Sequence, residues 1–459
     1  MMSTETDAEK IARLEKENAE LRAALGELRN ELEEWKRGHR IRDRKRRGKA
    51  KASPDEAPRK RGRAPGHVGS GRPGPARVDK TVACRVEGPC ACGGLLNDVG
   101  VGRRHRVEDL VITVEVTEYQ CMCQQCDRCG TVTEAPLPAT LGGAPKVGPQ
   151  AQAVAMSLRF DAGLPVSAIS RVFGELFGLP FSPGGLSQMF ERNMAKFEPA
   201  NVEVRKRLLE VPVMTVDETG WRQDGDRAWL FAATTPELSV FHISPHRDRM
   251  TFESMVPSYY AGIVATDAYS VYDHLPEARH PQCWAHVLRT ARDLTEIHGD
   301  PKDAAMNDAI GIFAAAAKAH RAVEWPSPDT RAAAQAAFEN AVAAGSRATH
   351  PKLVTLGARL DRQRIRYLLC LDDKSVPLTT NQVERDLRGH IAVRKLSFGT
   401  RNLRGSLQWA EGTTLSKTLR KQGKRLVEYV PTALAAVATD APMPSVFAPA
   451  PGPDAIKRD

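Results

Sequence analysis

Between residues 211 and 273 the chain holds four apolar, β-rich runs in close succession, which commits this region to a sheet. "VPVMTVDETGWR", "RAWLFAATT" and "LSVFHISP" are separated by the turn signals "QDGD" and "PE". A helix-like "RDRMTFESMV" follows, and then a further strand in "AGIVATDAYSVY". Three sequential strands, a helix and another strand imply a mixed sheet. The first run stops at two adjacent acids, Asp217 and Glu218, and the last at Asp267. Acids presented by separate strands converge at one edge of an α/β sheet, where sites are usually built.

A third acid lies in "TTNQVERDLRGHIAVRK", where Asn381, Glu384 and Arg388 fall on one helical face with Arg385 beside them. Three carboxylates from two strands and a helix can hold a pair of Mg²⁺ ions, which prefer hard oxygen ligands and leave positions open for a substrate phosphate. Two such ions, about 3.5 to 4 Å apart, activate a water or a 3′-hydroxyl on one side and stabilise the leaving oxygen on the other. Successive strand side chains point to opposite faces, so only one of Asp217 and Glu218 can be a ligand. The other supports it, either through the turn around Thr219 and Gly220 or as a hydrogen-bond partner behind the metal.

The rest of the chain tells what such chemistry would act on. With 459 residues and 41% hydrophobic content it can bury a sizeable core and divide into several units. No stretch approaches the roughly 18 to 20 apolar residues of a membrane helix, and the start "MMSTETDAEK" lacks the order of a secretory signal. The expectation is a cytoplasmic protein with no membrane partner. Its net charge of +10 is concentrated near the N-terminus, where residues 36 to 63 hold fourteen Lys and Arg against three acids. Upstream, Ile11, Leu14, Leu21, Leu25, Leu28, Leu32 and Trp35 recur three and four residues apart, with Asn18 at an a position, as in a coiled-coil dimer. The alternative is one amphipathic helix packed on its own protein. The basic stretch that follows, including Arg44, Lys45, Arg46, Arg47, Lys60 and Arg61, reads as a disordered arm able to follow phosphates.

Seven of the nine cysteines lie between Cys84 and Cys129. Cys126-x-x-Cys129 and the shorter Cys90-x-Cys92 read as the two knuckles of a structural Zn²⁺ ribbon, with Cys84 or Cys123 as substitutes. Between them Val107, Val111, Val114 and Val116 suit a β-hairpin. Further on, Ile169, Val172, Phe173 and Leu176 form a helical face, "GLP" breaks it, and Ser182 with Pro183 starts a second helix carrying Leu186, Met189 and Phe190. This is the helix-turn-helix arrangement, with Ser187, Gln188 and Arg192 on the polar side of its second helix as candidate DNA contacts.

"DETGWR", "TDAYSVYDH", "CWAHVLR" and "NQVERDLR", after a coiled coil, a zinc ribbon and "EAPLP", resemble the Asp-Asp-Glu transposases of bacterial insertion sequences, of the insertion sequence sixty-six type. The likeness runs from about residue 10 to residue 435. It implies a multidomain α/β plus α protein with an RNase H-like core, in which Asp217, Asp267 and Glu384 hold Mg²⁺, or Mn²⁺ in its place. It selects Asp217 over Glu218 as the ligand, and implies binding to the element's terminal inverted repeats and to target DNA. Thr380 and Asn381 stand where the family usually shows two Asn, the first knuckle is shortened and the second has an additional cysteine.

The implied order is a coiled coil (1–36), a basic arm (37–80), a zinc ribbon (81–138) and a helix-turn-helix-like region (146–210). The catalytic core (211–299 and 367–438) follows, divided by a helical insertion (300–366) and succeeded by a disordered tail (439–459). Expected partners are DNA, a second copy through the coiled coil, and helper proteins of the same element. Arg385 and Arg388 either clamp the scissile phosphate or balance Glu384. Trp221 either stacks on an unpaired base or lies in the core, and Cys283-x-x-His286 is either a metal motif or a packed thiol and imidazole. A non-catalytic DNA-binding regulator or decayed copy, and an RNase H-like nuclease without strand transfer, are the competing functions.

Overall fold

The computed structural model describes residues 77–447 apart from 86, 89, 99, 102, 142–146 and 324–326. The expected coiled coil, most of the basic arm with its six named cations, and the residues beyond 447 lie outside the described residues. Those described fall into two compact units, 77–117 and 118–447.

In the first unit the four valines do not form the expected hairpin. Val107, Val111 and Val116 are exposed, Val114 is 42% exposed, and none belongs to a strand. β-Branched residues make strands by packing on a partner and a core, and this segment has neither within its unit. A short hairpin forms instead at the second cysteine knuckle, in the other unit, where β1 (Cys123–Gln125) pairs antiparallel with β2 (Val132–Glu134).

The helices after residue 148 follow their local signals. After α1 (Pro149–Met156), α2 (Val166–Phe177) buries Ile169 and Phe173 and ends on Gly178 in the left-handed conformation, although Leu176 faces solvent. Ser182 Oγ accepts from the Gly185 amide at 3.0 Å and starts α3 (Pro183–Lys196), which buries Leu186, Met189 and Phe190. The next helix, α4 (Glu198–Glu210), leads into the sheet.

The sheet is mixed and four-stranded. β3 (Val213–Gln223) and β4 (Asp226–Thr234) form a hairpin closed by Asp224 and Gly225, both at positive φ, as a two-residue Asp-Gly turn requires. β3 therefore does not stop at its acids: cross-strand pairing carries it six residues past Asp217. β5 (Ser239–Ser244) forms one edge, and after the short α5 (Arg249–Glu253), β6 (Ile263–Ala265) pairs with β3 in parallel. Residues 279–282 extend the sheet beyond β6 through parallel bridges at Ile263↔Arg279 and Thr266↔Gln282.

A second hydrophobic core gathers α6 (Trp284–His298), α7 (Pro301–Ala322), α8 (Pro328–Arg347), α9 (Pro351–Arg362) and α10 (Arg364–Asp372), between the second acid and the third. Its centre is aromatic, with Trp284 against Phe313, Phe338 and Tyr367.

The chain then returns to the sheet as α11 (Asn381–Ser397), α12 (Leu403–Lys421) and α13 (Leu426–Ala438). α11 packs along β3 and β4, and α12 along β5. Thr414 Oγ1 accepts from the Phe241 amide at 3.0 Å and Thr418 Oγ1 from the Ser239 amide at 3.2 Å. Two threonines one helical turn apart thus satisfy alternate outward amides of the edge strand, which would otherwise invite pairing with another chain.

Where α11 meets α12, His390 is buried and accepts from Trp409 Nε1 at 3.0 Å. Burial, with Lys417 nearby, lowers its pKa to about 3. The unfolded chain takes up a proton near pH 6.5 that the folded protein refuses, so this contribution to stability is complete above that pH and is lost as pH falls toward 3. Urea titrations are expected to show wild type losing up to about 1.4 kcal/mol per pH unit more than His390→Gln over that window. Equal pH slopes would refute the buried neutral imidazole.

Candidate active site

Asp217 sits mid-strand on β3, opposite Ala232 of β4. On its other side β3 pairs β6 with a constant offset of fifty positions, from Val213↔Ile263 to Thr215↔Ala265. Continuing that offset brings Asp267 level with Asp217, just past the last paired rung, where the Asp267 carboxylate accepts from the Tyr269 amide at 2.9 Å. Burial first, then the negative charges of Glu218 and Asp267, raise the Asp217 carboxyl to about 7. Crowding acids in a partly buried place costs free energy unless a cation or proton balances them.

Glu384 occupies the first turn of α11, where it accepts from Arg289 Nη2 at 3.1 Å and lies 3.7 Å from His286 Nε2. His286, whose pKa is raised first by the Cys283 side chain, also feels the negative charge of Asp217, so it is influenced by both the third acid and the first. The connection that holds them together is made by the backbone around Cys283. The Cys283 amide donates to Thr266 O at 3.0 Å, next to Asp267, while its Sγ accepts from the Thr380 amide at 3.2 Å, one residue before α11. The Trp284 amide donates to Leu378 O at 3.0 Å. Two residues thereby tie the end of β6 to the entry of the Glu384 helix. Burial alone would raise the Cys283 thiol, but His286 and Thr380 outweigh it and lower it, whereas the Cys283 side chain raises His286.

The neighbouring acid has a different environment. Glu218 is buried, accepts from Arg247 Nε at 2.8 Å and from Arg247 Nη2, and also accepts from the Tyr272 hydroxyl. Arg247 is stacked between Trp229 and Tyr269, 4.6 and 4.0 Å from the ring centres. Glu218 is thus committed to protein partners and leaves Asp217 as the acid on the Asp267 side. Arg247, Tyr272 and Arg289 carry no local sequence signal as site residues, except that Arg289 follows His286 by three positions on α6.

Other expected residues are scattered around this centre. Asn381, Arg385 and Arg388 are exposed on α11, with Arg385 donating to Gln382 Oε1 at 2.8 Å. Trp221 is in the core, 2% exposed, stacked on Trp409 and donating to Thr400 Oγ1 at 3.2 Å. Ser187 is partly buried and Gln188 and Arg192 are exposed on α3.

Cys90 and Cys92 belong to one unit and Cys126 and Cys129 to the other. All four are exposed with free thiols. The backbone turns at both knuckles, with Gly93 N donating to Cys90 O at 2.7 Å and Gly130 N to Cys126 O at 2.9 Å. The Thr131 hydroxyl and amide lower Cys129 to about 7, which favours a thiolate. Among the described residues no three His, Cys, Asp or Glu side chains are drawn into a common ligand set, at the cysteines or at the acids. At the acids the donor chemistry nonetheless fits a hard cation: carboxylate oxygens, one of them raised to about 7 by burial and then by its neighbours' negative charge.

A mixed sheet with flanking helices, an acid on β3, another just past β6 and a helical core between them and α11 is consistent with a transposase core. The model of the Transposase IS66 family matches residues 146–407, more than half of the chain, and the chain belongs to that family. Two uncharacterized proteins of Sinorhizobium fredii are similar to it. y4jO is 29% identical over 155 residues, 33% of this chain and 46% of that protein, and y4qI is 24% identical over 262 residues, 50% of this chain and 48% of that protein. The chain spans about half the length of these curated relatives. Among the described residues no helix is long and apolar enough to cross a membrane.

Proposed function

We propose that the protein is a transposase that binds the terminal inverted repeats of its mobile element, cuts at the element ends and joins them to target DNA by in-line displacement at phosphorus. The observation that carries this reading is the tie through Cys283 and Trp284, which fastens the entry of the Glu384 helix to the end of β6 beside Asp267, in a chain of a transposase family. The strand order, with three antiparallel strands, a parallel fourth and a bridged fifth segment, supports an RNase H-like core.

Asp217, Asp267 and Glu384 are the residues that hold Mg²⁺, or Mn²⁺ in its place. The metal, when bound, supplies activation of water or of a 3′-hydroxyl and neutralises charge on the leaving oxygen. Arg289 donates to Glu384 and His286 lies beside it, so the two orient the carboxylate that would serve as the third ligand. Glu218 keeps Arg247 and Tyr272 in place behind Asp217, and the exposed Arg385 and Arg388 meet the phosphate backbone beside the cut. Zn²⁺ at Cys90, Cys92, Cys126 and Cys129, pairing of two chains, and helper proteins belong to the same reading.

The test is a strand-transfer assay with purified full-length protein, Mg²⁺ and labelled element ends. Joined products are expected. Hydrolysis alone would identify a nuclease, and binding without cleavage a regulator or decayed copy; either outcome overturns the proposal.

A further inference from the structure

At the far end of β3 from the candidate active site lies a cleft of about 800 Å³, between the α2–α3 pair and the loop joining α11 to α12. Its floor holds Arg159, whose guanidinium lies 4.7 Å from the centre of the Trp409 ring and donates to Leu164 O at 3.0 Å. Among the described residues no carboxylate pairs with it, and burial lowers its pKa to about 10, so it remains a cation at neutral pH. A partly buried cation without a carboxylate partner among the described residues, lining an open cleft, is suited to an anion.

The loop offers the other half of a nucleotide site. Phe398 is 76% exposed and, for a bulky residue, held in the rarely occupied left-handed conformation at φ 56°. Gly399 fixes that geometry, because a Cβ there would stand 2.1 Å from Arg222 O. The Thr400 amide donates to Arg222 O at 3.0 Å and the Asp224 amide to Thr400 O at 2.8 Å. An aromatic ring is therefore presented to solvent on a loop tied to the strand end. Arg401 beside it is exposed, and Arg404 neutralises the lining acid Glu191 at 3.1 Å. Ser187 and Gln188, on the polar side of α3, complete the wall.

We propose that this cleft binds an unpaired stretch of DNA strand, with Phe398 stacking on a base and Arg159 and Arg401 holding the adjoining phosphates. Aromatic stacking beside a cationic groove is how single strands are held with little regard to sequence. The route to the acids is short. Six residues of β3 separate Gln223 from Asp217, about 20 Å. α11 spans the same interval from Glu384 to Ser397, so one strand–helix pair connects the two sites.

The inference rests on DNA being the substrate, and its test is read independently of cleavage. Full-length protein is irradiated with a single-stranded oligodeoxynucleotide carrying one 5-iododeoxyuridine, digested with trypsin and analysed by mass spectrometry. The peptide Leu396–Arg401, whose sole aromatic is Phe398, is expected to carry the adduct. Phe398→Leu and Arg401→Ala, both at exposed positions, are expected to reduce that adduct about tenfold or more, and Arg159→Gln to do the same with unchanged circular dichroism. Asp217→Asn, which removes a proposed metal ligand, is expected to cross-link as wild type does, so loss of cleavage and loss of this site are distinguishable. Absence of the adduct, an undiminished adduct in Phe398→Leu and Arg401→Ala, equal yield from a duplex probe, or preference for the corresponding RNA would each overturn the proposal.

Discussion

Asp217→Asn is expected to abolish DNA cleavage, with a fall of about a thousandfold or more in the single-turnover rate, while making the metal-free protein more stable near neutral pH. The two effects have one cause. The wild-type carboxyl is partly buried beside Glu218 and Asp267 and titrates at about 7, above its ordinary value of 3.8. Between those two values the folded protein retains a proton that the unfolded chain has released, so metal-free stability falls as pH rises through the window. Asparagine keeps the size of the side chain and removes the charge. The variant is expected to match wild type in acid and exceed it above neutrality by an amount on the order of a few kcal/mol at most. Calorimetry without metal, repeated with Mg²⁺, reads the difference: added Mg²⁺ should raise the wild-type melting temperature and leave that of the variant nearly unchanged. A variant that cleaves DNA at the wild-type rate would remove Asp217 from the mechanism.

What could be seen in the sequence divides by the range of the interaction that produces it. The α2–α3 pair is visible because its determinants are local: Gly178 ends one helix and Ser182 caps the next within a few residues. The Asp-Gly turn between β3 and β4 is legible for the same reason, yet its consequence, the extension of β3 through its acids to Gln223, depends on the partner strand. The separation of Asp217 from Glu218 follows from the alternation of a strand, but Glu218's partners do not. Arg247 and Tyr272 stand 29 and 54 positions away and meet it through the fold. Trp221 reads from sequence either as a stacking surface or as core, and contact with Trp409 and Thr400, nearly two hundred residues on, puts it in the core. The valines between Val107 and Val116 have strand propensity without a partner, which shows how little that propensity decides alone.

Trp284→Ala is expected to cost about 3 to 5 kcal/mol and to reduce cleavage beyond what that loss of stability explains. The side chain is 2% exposed, lies against three aromatic rings of the helical core and donates from Nε1 to Tyr367 O at 3.0 Å. Its backbone amide holds Leu378 O, three residues before α11 begins, beside the Cys283–Thr380 contact that sets the entry to the Glu384 helix. Removing the indole leaves a cavity where the helical core meets the sheet, and relaxation into it pulls on the segment that places Glu384. A displacement of about 1 Å at a reacting centre can cost about a hundredfold in rate. Trp284→Phe separates the two effects, since it retains most of the packing and gives up the bond to Tyr367 O, at a cost of about 1 to 3 kcal/mol. Cleavage measured well below the melting temperature of each variant is the deciding observation. Loss in Trp284→Ala with near-normal activity in Trp284→Phe supports a helical domain that positions the third acid. Full activity in folded Trp284→Ala would mean that Glu384 is placed by α11 and the sheet alone.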